Sequence, residues 1–351
     1  MSINISPSEE VTVLRPESIS IRKLPINFKQ NDQSLFSHEL ERVIPPTRLL
    51  RFNNVGVSPE GILFKQGKML PESFAFPENR ENWKRRSVLK FFFKNYLLRK
   101  HRQFARESVW VTDNWSVGYF HWLADVLPRL LTIRPQLKNL VLLLPHRYKE
   151  LGFTASSLRP FQIGGLEFID AGEVLFCREL LVPTHTAPSG HYNEELIREV
   201  GKIQVGFHAG GWSEAPNDRI YVSRSLAPKR KISNEEEVME VLREFRFQIV
   251  RPEDHSFAEQ VQIAAKARYF VSNHGSNMTN ILFMKPGTNV LELRHVADRI
   301  NNCYFTLASA LKLNYFYQKC EPQNPGEDAH TANLRVDPRL LRANLELILK
   351  S

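Results

Sequence analysis

The stretch YFVSNHGSNMTNILFMKPGTNVLELR, residues 269–294, predicts the fold class of this chain. Its apolar run YFVS stops at the small polar residues NHGSNMTN, and two further apolar runs follow, separated by KPGT. Apolar runs of this length, bounded by Gly and Pro, predict buried strands on either side of a short helix. Strands that are apolar throughout are typical of a parallel sheet with helices on both faces. The stretch therefore indicates an α/β fold.

The same alternation extends over residues 209–351. Strand patterns recur in RIYVSR, RFQIV and LNYFYQ, and helical patterns recur in SNEEEVMEVLREF, SFAEQVQIAAKA, ADRINNCYFTLASAL and DPRLLRANLELILK. Ser256 and Glu259 have the spacing of a helix capping box, and Ser233 and Glu236 repeat it. Strand–helix repetition of this kind predicts a doubly wound parallel sheet, so residues 209–351 are expected to form a C-terminal Rossmann-like domain.

The N-terminal half shows a similar pattern after residue 100. SVWVTDN, NLVLLLP and ELLVP are typical of strands, and GYFHWLADVLPRLLTI has helical spacing. They predict an N-terminal Rossmann-like domain over residues 101–208, and the Gly-rich segment 206–218 predicts the linker. Residues 1–100 hold several prolines and short strand candidates such as GILFKQGKML. We expect an irregular extension there, packed on the N-terminal domain, and an interdomain cleft between the two sheets.

The composition is that of a folded protein with a basic surface. Of 351 residues, 42% are hydrophobic and 24% are charged, and the formal net charge is +9. The positive excess fits a solvated surface, an anionic ligand, nucleic acid or an anionic membrane face. Three cysteines without a CxxC pair exclude a disulfide scaffold and a zinc ribbon. Because neither a secretory signal nor a membrane-spanning run is recognised, a cytoplasmic location is expected.

Residues 88–102, VLKFFFKNYLLRKHR, have a basic amphipathic pattern. A helix of this kind packs either on the core of its own protein or on a membrane surface. The first alternative predicts a structural helix. The second predicts peripheral contact with an anionic membrane, on its inner face for a cytoplasmic protein.

Two features suited to an anion follow predicted strands. The loop HGSN, residues 274–277, would present backbone N–H groups at the carboxyl end of a strand, and Gly275 would allow close approach of a ligand. The alternative is an ordinary turn in which Ser276 or Asn277 caps the helix. Arg224 follows the strand RIYVS at the same sheet edge, where a guanidinium could bind a phosphate through two hydrogen bonds. We favour a binding role for Arg224 and Arg230, and a solvated loop for the neighbouring lysines.

His121 and Asp125 lie four residues apart on a predicted helix, so both belong to one face. Together an imidazole and a carboxylate can accept a proton from a hydroxyl group. By spacing alone, an ordinary surface pair or a structural hydrogen bond is the preferred explanation.

Several common motifs are absent from the sequence. No GxGxxG follows a strand, and GxxxxGK[ST], GxSxG, HExxH and DxD do not occur. Their absence argues against a nicotinamide or flavin site, a P-loop, a hydrolase elbow and a metal-held diphosphate. No metal site is therefore expected. No basic stripe with interleaved aromatic residues is seen either, so nucleic acid is not an expected partner.

Three segments together resemble glycosyltransferase family 61, which includes bacterial capsular polysaccharide enzymes, the type expected here, and eukaryotic xylosyl- and N-acetylglucosaminyltransferases. They are GYFHWLADVLPRLL, RIYVSRSLAPKRKISNEEEV and HGSNMTNILFMKPGTNVLEL, and the resemblance spans residues 108–293. It implies a GT-B-like architecture with an acceptor-side N-terminal domain and a nucleotide-sugar-binding C-terminal domain. It also implies inverting transfer, without an obligatory metal or other cofactor. The sugar would pass from a nucleotide sugar, with UDP the expected nucleotide, to a hydroxyl of a glycan or lipid-linked glycan.

The resemblance also assigns roles to single residues. The donor and phosphate positions of the family fall on Arg224, Arg230, His274, Gly275, Thr279 and Asn280, beside Ser276 and Asn277 of the same loop. Glu292 matches an acidic position and is the candidate for the ribose hydroxyls. Asp125 is the first choice for the catalytic base, and His121 is the second choice or orients the carboxylate. The rival interpretation is a noncatalytic nucleotide-sugar-binding or glycan-binding protein on the same fold.

Overall fold

A computed structural model describes residues 10–76 and 84–351 of the chain. These residues form two compact units, each built around its own main sheet. The first unit contains the residues up to Ser18 together with Pro45–Ser189, and the second contains Ile19–Ile44 and Gly190–Ser351.

Strands and helices alternate along most of the described chain. The strands are β1 (Glu10–Arg15), β2 (Ser18–Ile21), β3 (Glu41–Ile44), β4 (Thr47–Val57), β5 (Leu63–Lys65), β6 (Lys68–Met69), β7 (Lys100–Phe104), β8 (Ser108–Val109), β9 (Val141–Pro145), β10 (Gly165–Ile169), β11 (Glu173–Pro183), β12 (Asp218–Val222), β13 (Gln248–Val250), β14 (Ala267–Asn273), β15 (Asn289–His295), β16 (Asn314–Pro322) and β17 (Leu334–Arg335). The helices are α1 (Gln33–Phe36), α2 (Arg85–Phe93), α3 (Tyr119–His121), α4 (Leu127–Thr132), α5 (Gly152–Leu158), α6 (Glu194–Ala209), α7 (Glu235–Glu244), α8 (Phe257–Lys266), α9 (Cys303–Ala310) and α10 (Pro338–Ile348). All described helices are too short or too polar to cross a bilayer.

The first unit holds a mixed sheet rather than the purely parallel one expected from the sequence. Its strands run in the order β10-β9-β8-β11-β4-β5-β6, with β7 also paired to β11 and β1 to β4. The pairs from β10 to β11 are parallel, whereas β11 pairs with β4 in the antiparallel sense. The α/β class is confirmed, and the GT-B arrangement of two Rossmann-like domains stays a prediction.

Much of the first hundred residues is built into these sheets. Strand β4 pairs with β11 over eight residue pairs in register, from Val57 opposite Leu175 to Leu49 opposite Pro183. Phe52, in the middle of β4, is fully buried in the core of the unit with Trp110 and Leu143. The N-terminal strands therefore complete the antiparallel half of the sheet, where an appended irregular extension was expected. The parts of that extension at residues 1–9 and 77–83 lie outside the described residues.

Residues 19–44 belong to the second unit, although they precede most of the first. The Asn27 side chain exchanges two hydrogen bonds with the backbone of Tyr317 on β16, at 2.7 and 3.1 Å. Asp32 accepts hydrogen bonds from the Tyr317 hydroxyl and from Lys319, each at 2.6 Å. These contacts join residues nearly 300 positions apart, which is why the predicted domain boundaries at 100 and 208 differ from the observed units.

The second unit contains the predicted parallel sheet. Its strand order is β13-β12-β14-β15-β16-β17, and only β17 is antiparallel to its neighbour. The chain moves from β12 outward to β13 through α7 and then back past β12 to β14 through α8. Because crossovers between parallel strands are right-handed, these two helices cover opposite faces of the sheet. The order thus reverses between β12 and β14, and the carboxyl ends of strands at such a switch point are where α/β sheets bind ligands.

Helix α6, Glu194–Ala209, extends into the beginning of the segment predicted as a linker. The Asn193 side chain accepts a hydrogen bond from the backbone N–H of Leu196, which caps the first turn. Gly210 ends the helix with a φ of 73°, a left-handed conformation that glycine adopts without strain. Gly210 of the predicted linker therefore ends a helix, and the observed division between the units lies earlier, at Ser189.

Candidate functional site

The first group of predicted site residues lies at the switch point of the second unit. Val222 at the end of β12 pairs in register with Ser272 near the end of β14. The chain continues from β12 into Arg224 and from β14 into Gly275, so the two loops leave neighbouring strands at the same sheet edge. The sequence-based placement of Arg224 beside the HGSN loop is confirmed.

Gly275 makes room for the Arg224 guanidinium. A Cβ atom at position 275 would lie 2.6 Å from both Cζ and Nη1 of Arg224, closer than such atoms approach in proteins. The backbone there is extended, with φ 161° and ψ 171°, so the requirement for glycine comes from space. Arg224 therefore lies directly against the backbone of the loop that follows β14.

Arg224 and Arg230 concentrate positive charge at this edge. Arg224 is only 5% exposed, and burial together with the charge of Arg230 lowers its pKa. The Nε atoms of both side chains are buried and have no hydrogen-bond partner among the described residues. Among residues 10–76 and 84–351, no carboxylate lies within ion-pair distance of either guanidinium. Buried cations without counter-charges are costly, so an anion is the complement that this arrangement lacks.

The loop after β14 holds further polar side chains around the two arginines. Asn273 donates a hydrogen bond of 2.5 Å to the Arg230 carbonyl, and Arg230 itself has a left-handed φ of 58°. Three buried polar atoms of the loop have no partner among the described residues: Asn273 Oδ1, Asn277 Nδ2 and Thr279 Oγ1. They add hydrogen-bonding capacity to the same place.

The segment that begins after Gly275 is a 3₁₀ helix, Ser276–Phe283, rather than an α-helix. Its N-cap is Gly275, and no side chain caps it, so the alternative in which Ser276 or Asn277 serves as the cap is wrong. Asn280, predicted to bind the donor, donates a hydrogen bond from its side-chain amide to Gln260 Oε1 at 3.0 Å.

His274 is held by a buried carboxylate. Its Nδ1 lies 2.5 Å from Glu292 Oε1, and its Nε2 lies 3.0 Å from the amide nitrogen of Asn301. Since a carboxylate only accepts and an amide nitrogen only donates, Nδ1 carries the proton and Nε2 accepts. Glu292 also accepts from the Tyr315 hydroxyl at 2.5 Å. Burial alone would raise the pKa of Glu292, but the hydrogen bond from His274 and the charge of Arg294 outweigh it and lower the pKa.

These contacts give Glu292 a different position from the one the sequence suggested. Both of its carboxylate oxygens are engaged by protein side chains, and the residue is 1% exposed. The structure therefore places Glu292 behind His274, where it orients the imidazole, and away from a surface that ribose hydroxyls could reach.

The second group of predicted residues lies in the first unit, on an irregular helix. The helix runs from Tyr119–His121 through a π-helical turn, Trp122–Val126, into Leu127–Thr132. Pro128 has no N–H to donate to the preceding turn, which is a common reason for irregular helical hydrogen bonding. His121 Nδ1 lies 2.8 Å from Asp125 Oδ2, so the predicted pairing on one face is confirmed.

Ser189 completes this pair and was missed by the sequence analysis. Its hydroxyl donates to Asp125 Oδ2 at 2.9 Å and lies 3.2 Å from His121 Nδ1. The Asp125 side chain is 6% exposed, whereas that of His121 is 24% exposed. Because the carboxylate accepts the Nδ1 proton, His121 Nε2 keeps its lone pair. The arrangement is that of an imidazole base oriented by a buried carboxylate.

A second imidazole–carboxylate pair lies in the same unit. His185 Nε2 lies 2.9 Å from Asp113 Oδ2, and burial and the charge of Arg129 lower the pKa of His185. Arg129 is 1% exposed and donates to the carbonyls of Pro183 and Val111 at 2.8 and 2.6 Å. Burial lowers the pKa of Arg129 to about 10, opposed by Asp113 and Asp125.

Comparison with known proteins agrees with the resemblance. The family model described as Glycosyltransferase 61 matches residues 119–291, a range that includes His121, Asp125, Arg224 and the loop after β14. This match supports the resemblance to glycosyltransferase family 61.

Curated relatives of the chain are animal transferases. "Protein O-linked-mannose beta-1,4-N-acetylglucosaminyltransferase 2" of Takifugu rubripes is 35% identical over 109 residues, 30% of this chain and 18% of the relative. The Mus musculus protein of the same name is 28% identical over 204 residues, 56% of this chain and 32% of the relative. "EGF domain-specific O-linked N-acetylglucosamine transferase" of Gallus gallus is 25% identical over 143 residues, 38% of this chain and 26% of the relative. The chain thus spans a third or less of these relatives. Since they are animal proteins, the bacterial capsular subtype stays a prediction.

Proposed function

We propose that this chain is an inverting glycosyltransferase that moves a sugar from a nucleotide sugar to a hydroxyl of a glycan acceptor. The family match and the names of the relatives support transfer of a sugar. Those names specify N-acetylglucosamine, so UDP-N-acetylglucosamine is the first donor to test. The same names refer to O-linked sugars, which supports a protein-linked glycan as an acceptor beside the lipid-linked glycan expected from the sequence.

The observation that carries the proposal is the pair of Arg224, which is buried, and Arg230, which is half-buried, at the switch point. Among the described residues, Arg224 and Arg230 have no carboxylate as an ion-pair partner. A nucleoside diphosphate would supply the negative charge that balances them. Guanidinium groups suit a diphosphate because their N–H groups match two phosphate oxygens at once. Thr279 and Asn277 contribute further polar atoms to the same binding site.

The same arginines would act in the reaction itself. Inversion requires one in-line displacement at the anomeric carbon, in which the acceptor oxygen forms a bond as the bond to the diphosphate oxygen breaks. Negative charge grows on the leaving diphosphate. Cations already fixed by the protein stabilise that charge without reorganisation, which lowers the barrier.

We assign proton removal to His121 and orientation of its ring to Asp125. His121 is the more exposed of the two, and its Nδ1 proton is held by Asp125. Nε2 can therefore take the proton from the acceptor hydroxyl, and the buried carboxylate stabilises the imidazolium that results. This reverses the order of preference drawn from the sequence, where Asp125 came first.

The proposal is tested with a panel of nucleotide sugars. UDP-N-acetylglucosamine, UDP-glucose, UDP-xylose and GDP-mannose are each mixed with the protein, and thermal stabilisation and slow release of the nucleotide are measured. We expect at least one donor to raise the unfolding temperature and to be hydrolysed slowly without acceptor. Stabilisation without any hydrolysis or transfer would instead favour the noncatalytic nucleotide-sugar-binding or glycan-binding protein. A panel that neither stabilises the protein nor is turned over contradicts both the transferase and the nucleotide-sugar-binding protein.

Activity is expected to survive removal of divalent metal. The arginine pair supplies the positive charge that a metal would otherwise bring to the diphosphate. Turnover of the best donor should change less than about twofold when EDTA is added. A change of that size is expected from the altered ionic strength alone. A loss of turnover that Mn²⁺ or Mg²⁺ restores would show that the arginines are not sufficient.

Gly275→Ala should weaken donor binding without unfolding the protein. The new methyl group would meet the Arg224 guanidinium at 2.6 Å and force that side chain to move. Overpacking of this kind costs about 1–3 kcal/mol, so we expect donor affinity to fall by roughly tenfold to a hundredfold. Gly206→Ala is the matched control, because nothing lies within 4 Å of its added Cβ. Equal donor affinities for the two variants, measured by calorimetry, would show that Arg224 does not contact the donor.

A further inference from the structure

The basic amphipathic segment forms a helix with two apolar sides. Its inner side packs in the core of the first unit, where the ring of Phe91 lies 5.6 Å from that of Phe64. Asn95, which is fully buried, donates to the Phe91 carbonyl at 2.8 Å. The packing on the protein's own core that the sequence allowed is therefore present, on one side of the helix.

The outer side of the same helix is apolar and exposed. Leu89, Phe93 and Leu97, spaced four residues apart, are 63%, 56% and 70% exposed, and Leu98 is 68% exposed. The helix in this region consists of α2 followed by a π-helical turn, Lys94–Leu98. Four large apolar side chains within ten residues leave a surface that a water-facing helix would normally cover with polar groups.

A row of basic residues runs beside this apolar row. Lys90 and Lys94 each follow a residue of the apolar row, Leu89 and Phe93, by one position, and Arg86 continues the same four-residue spacing. Residues 84–100 contain seven Lys or Arg residues and no Asp or Glu. Glu60 contacts two of them, with Arg99 Nη1 at 2.6 Å and Lys94 Nζ at 3.3 Å. Within the described residues, the side chains of Arg85, Arg86 and Lys90 have no carboxylate partner.

We propose that this outer face docks on an anionic lipid surface. The apolar row would enter the boundary between headgroups and acyl chains, and the basic row would contact lipid phosphates. Opposite charge favours this occupant over a second copy of the chain, which would bring seven more cations against the first seven. The helix thus packs on the core of the first unit with its inner side and contacts lipid with its outer side.

The test is sedimentation of the protein with vesicles. One set contains equal parts phosphatidylglycerol and phosphatidylcholine, and the other contains phosphatidylcholine alone. We expect binding to the anionic vesicles to exceed binding to the neutral ones and to weaken as salt is raised, because salt screens lipid charge. Equal binding to both sets, or none to the anionic set, overturns the proposal.

A triple and a double variant separate the electrostatic and the apolar contributions. Arg85→Gln/Arg86→Gln/Lys90→Gln should weaken binding to anionic vesicles roughly a hundredfold, since each Lys or Arg near such a surface contributes about fivefold. Leu89→Ser/Phe93→Ser should abolish sedimentation with either set. Both variants should keep the wild-type unfolding temperature, because the altered side chains are exposed.

The matched control is Lys202→Gln/Arg339→Gln/Lys350→Gln, which removes the same charge from exposed positions of the second unit. It should bind anionic vesicles within about threefold of wild type, because these charges lie outside the docking helix and salt screens their attraction to lipid. If this control loses as much affinity as the helix variant, the attraction is a property of the overall charge and the helix is not the docking site. Sedimentation equilibrium without lipid tests the other occupant, a second copy of the chain. If the wild type is a dimer and Leu89→Ser/Phe93→Ser is a monomer, the apolar face is a dimer interface and the proposal is wrong.

Discussion

Arg224→Ala is expected to lose most of its affinity for the nucleoside diphosphate. The guanidinium is almost fully buried against the loop after β14 and has an unpaired Nε within the described residues. A hydrogen bond to a charged group contributes about 1.5–3 kcal/mol, so calorimetry with UDP should show roughly tenfold to a hundredfold weaker binding. Turnover should fall further, by about 10²–10³, as expected when a donor to the developing charge is removed.

Two neighbouring variants show whether the loss belongs to the guanidinium. Arg224→Lys keeps the charge but not the paired N–H groups, so we expect partial recovery of affinity and little recovery of turnover. Lys229→Ala removes a basic side chain from the exposed part of the same loop and should behave as wild type. If Lys229→Ala weakens UDP binding as much as Arg224→Ala does, the loop attracts the diphosphate only through its overall charge.

His121→Gln is expected to reduce kcat by about 10²–10⁴ and to leave donor affinity unchanged. Glutamine can still donate a hydrogen bond to Asp125 but lacks the basic Nε2. The donor-binding residues lie in the other unit, so the loss should appear in transfer and not in UDP binding. Single-turnover measurement with saturating donor separates the two quantities.

The partner variants identify which group accepts the proton. Asp125→Asn keeps the shape of the side chain, removes the orienting carboxylate, and should lower kcat by about 100-fold or more. Ser189→Ala removes one hydrogen bond to Asp125 and should lower kcat only severalfold. Full activity of His121→Gln together with an inactive Asp125→Asn would return the base to Asp125. Activity in both variants would mean that the base lies on another element.

For both groups of site residues, the sequence predicted some positions but not all of the contacting side chains. The spacing of His121 and Asp125 on one helix and the position of Arg224 after a strand are local properties, and both are confirmed. Ser189 was missed because it is 64 residues from Asp125 and follows no recognisable pattern. The partners of Glu292 were missed for the same reason, since an acidic residue in an apolar strand carries no sign of which side chains will surround it.

At the helix ends, too, local hydrogen bonds were predicted correctly and a contact between distant residues was not. The capping box of Ser256 and Glu259 is present in α8, because both of its hydrogen bonds lie within one turn. The equivalent spacing at Ser233 and Glu236 did not produce one. There Asn234 is the N-cap of α7, and the Ser233 hydroxyl donates to the Leu334 carbonyl at 3.2 Å. A contact with a residue a hundred positions away displaced the local preference.

The sequence by itself determined the α/β class, the parallel sheet of the second unit and the strand ends that carry Arg224 and Gly275. These depend on apolar runs and turn residues that are neighbours in the chain, so their periodicity is visible without a structure. Only the tertiary structure decided that residues 19–44 join the second unit, that β4 completes the first sheet, and that Glu292 supports His274. Each of these rests on hydrogen bonds or packing between distant segments, which form only once the path of the whole chain brings them together.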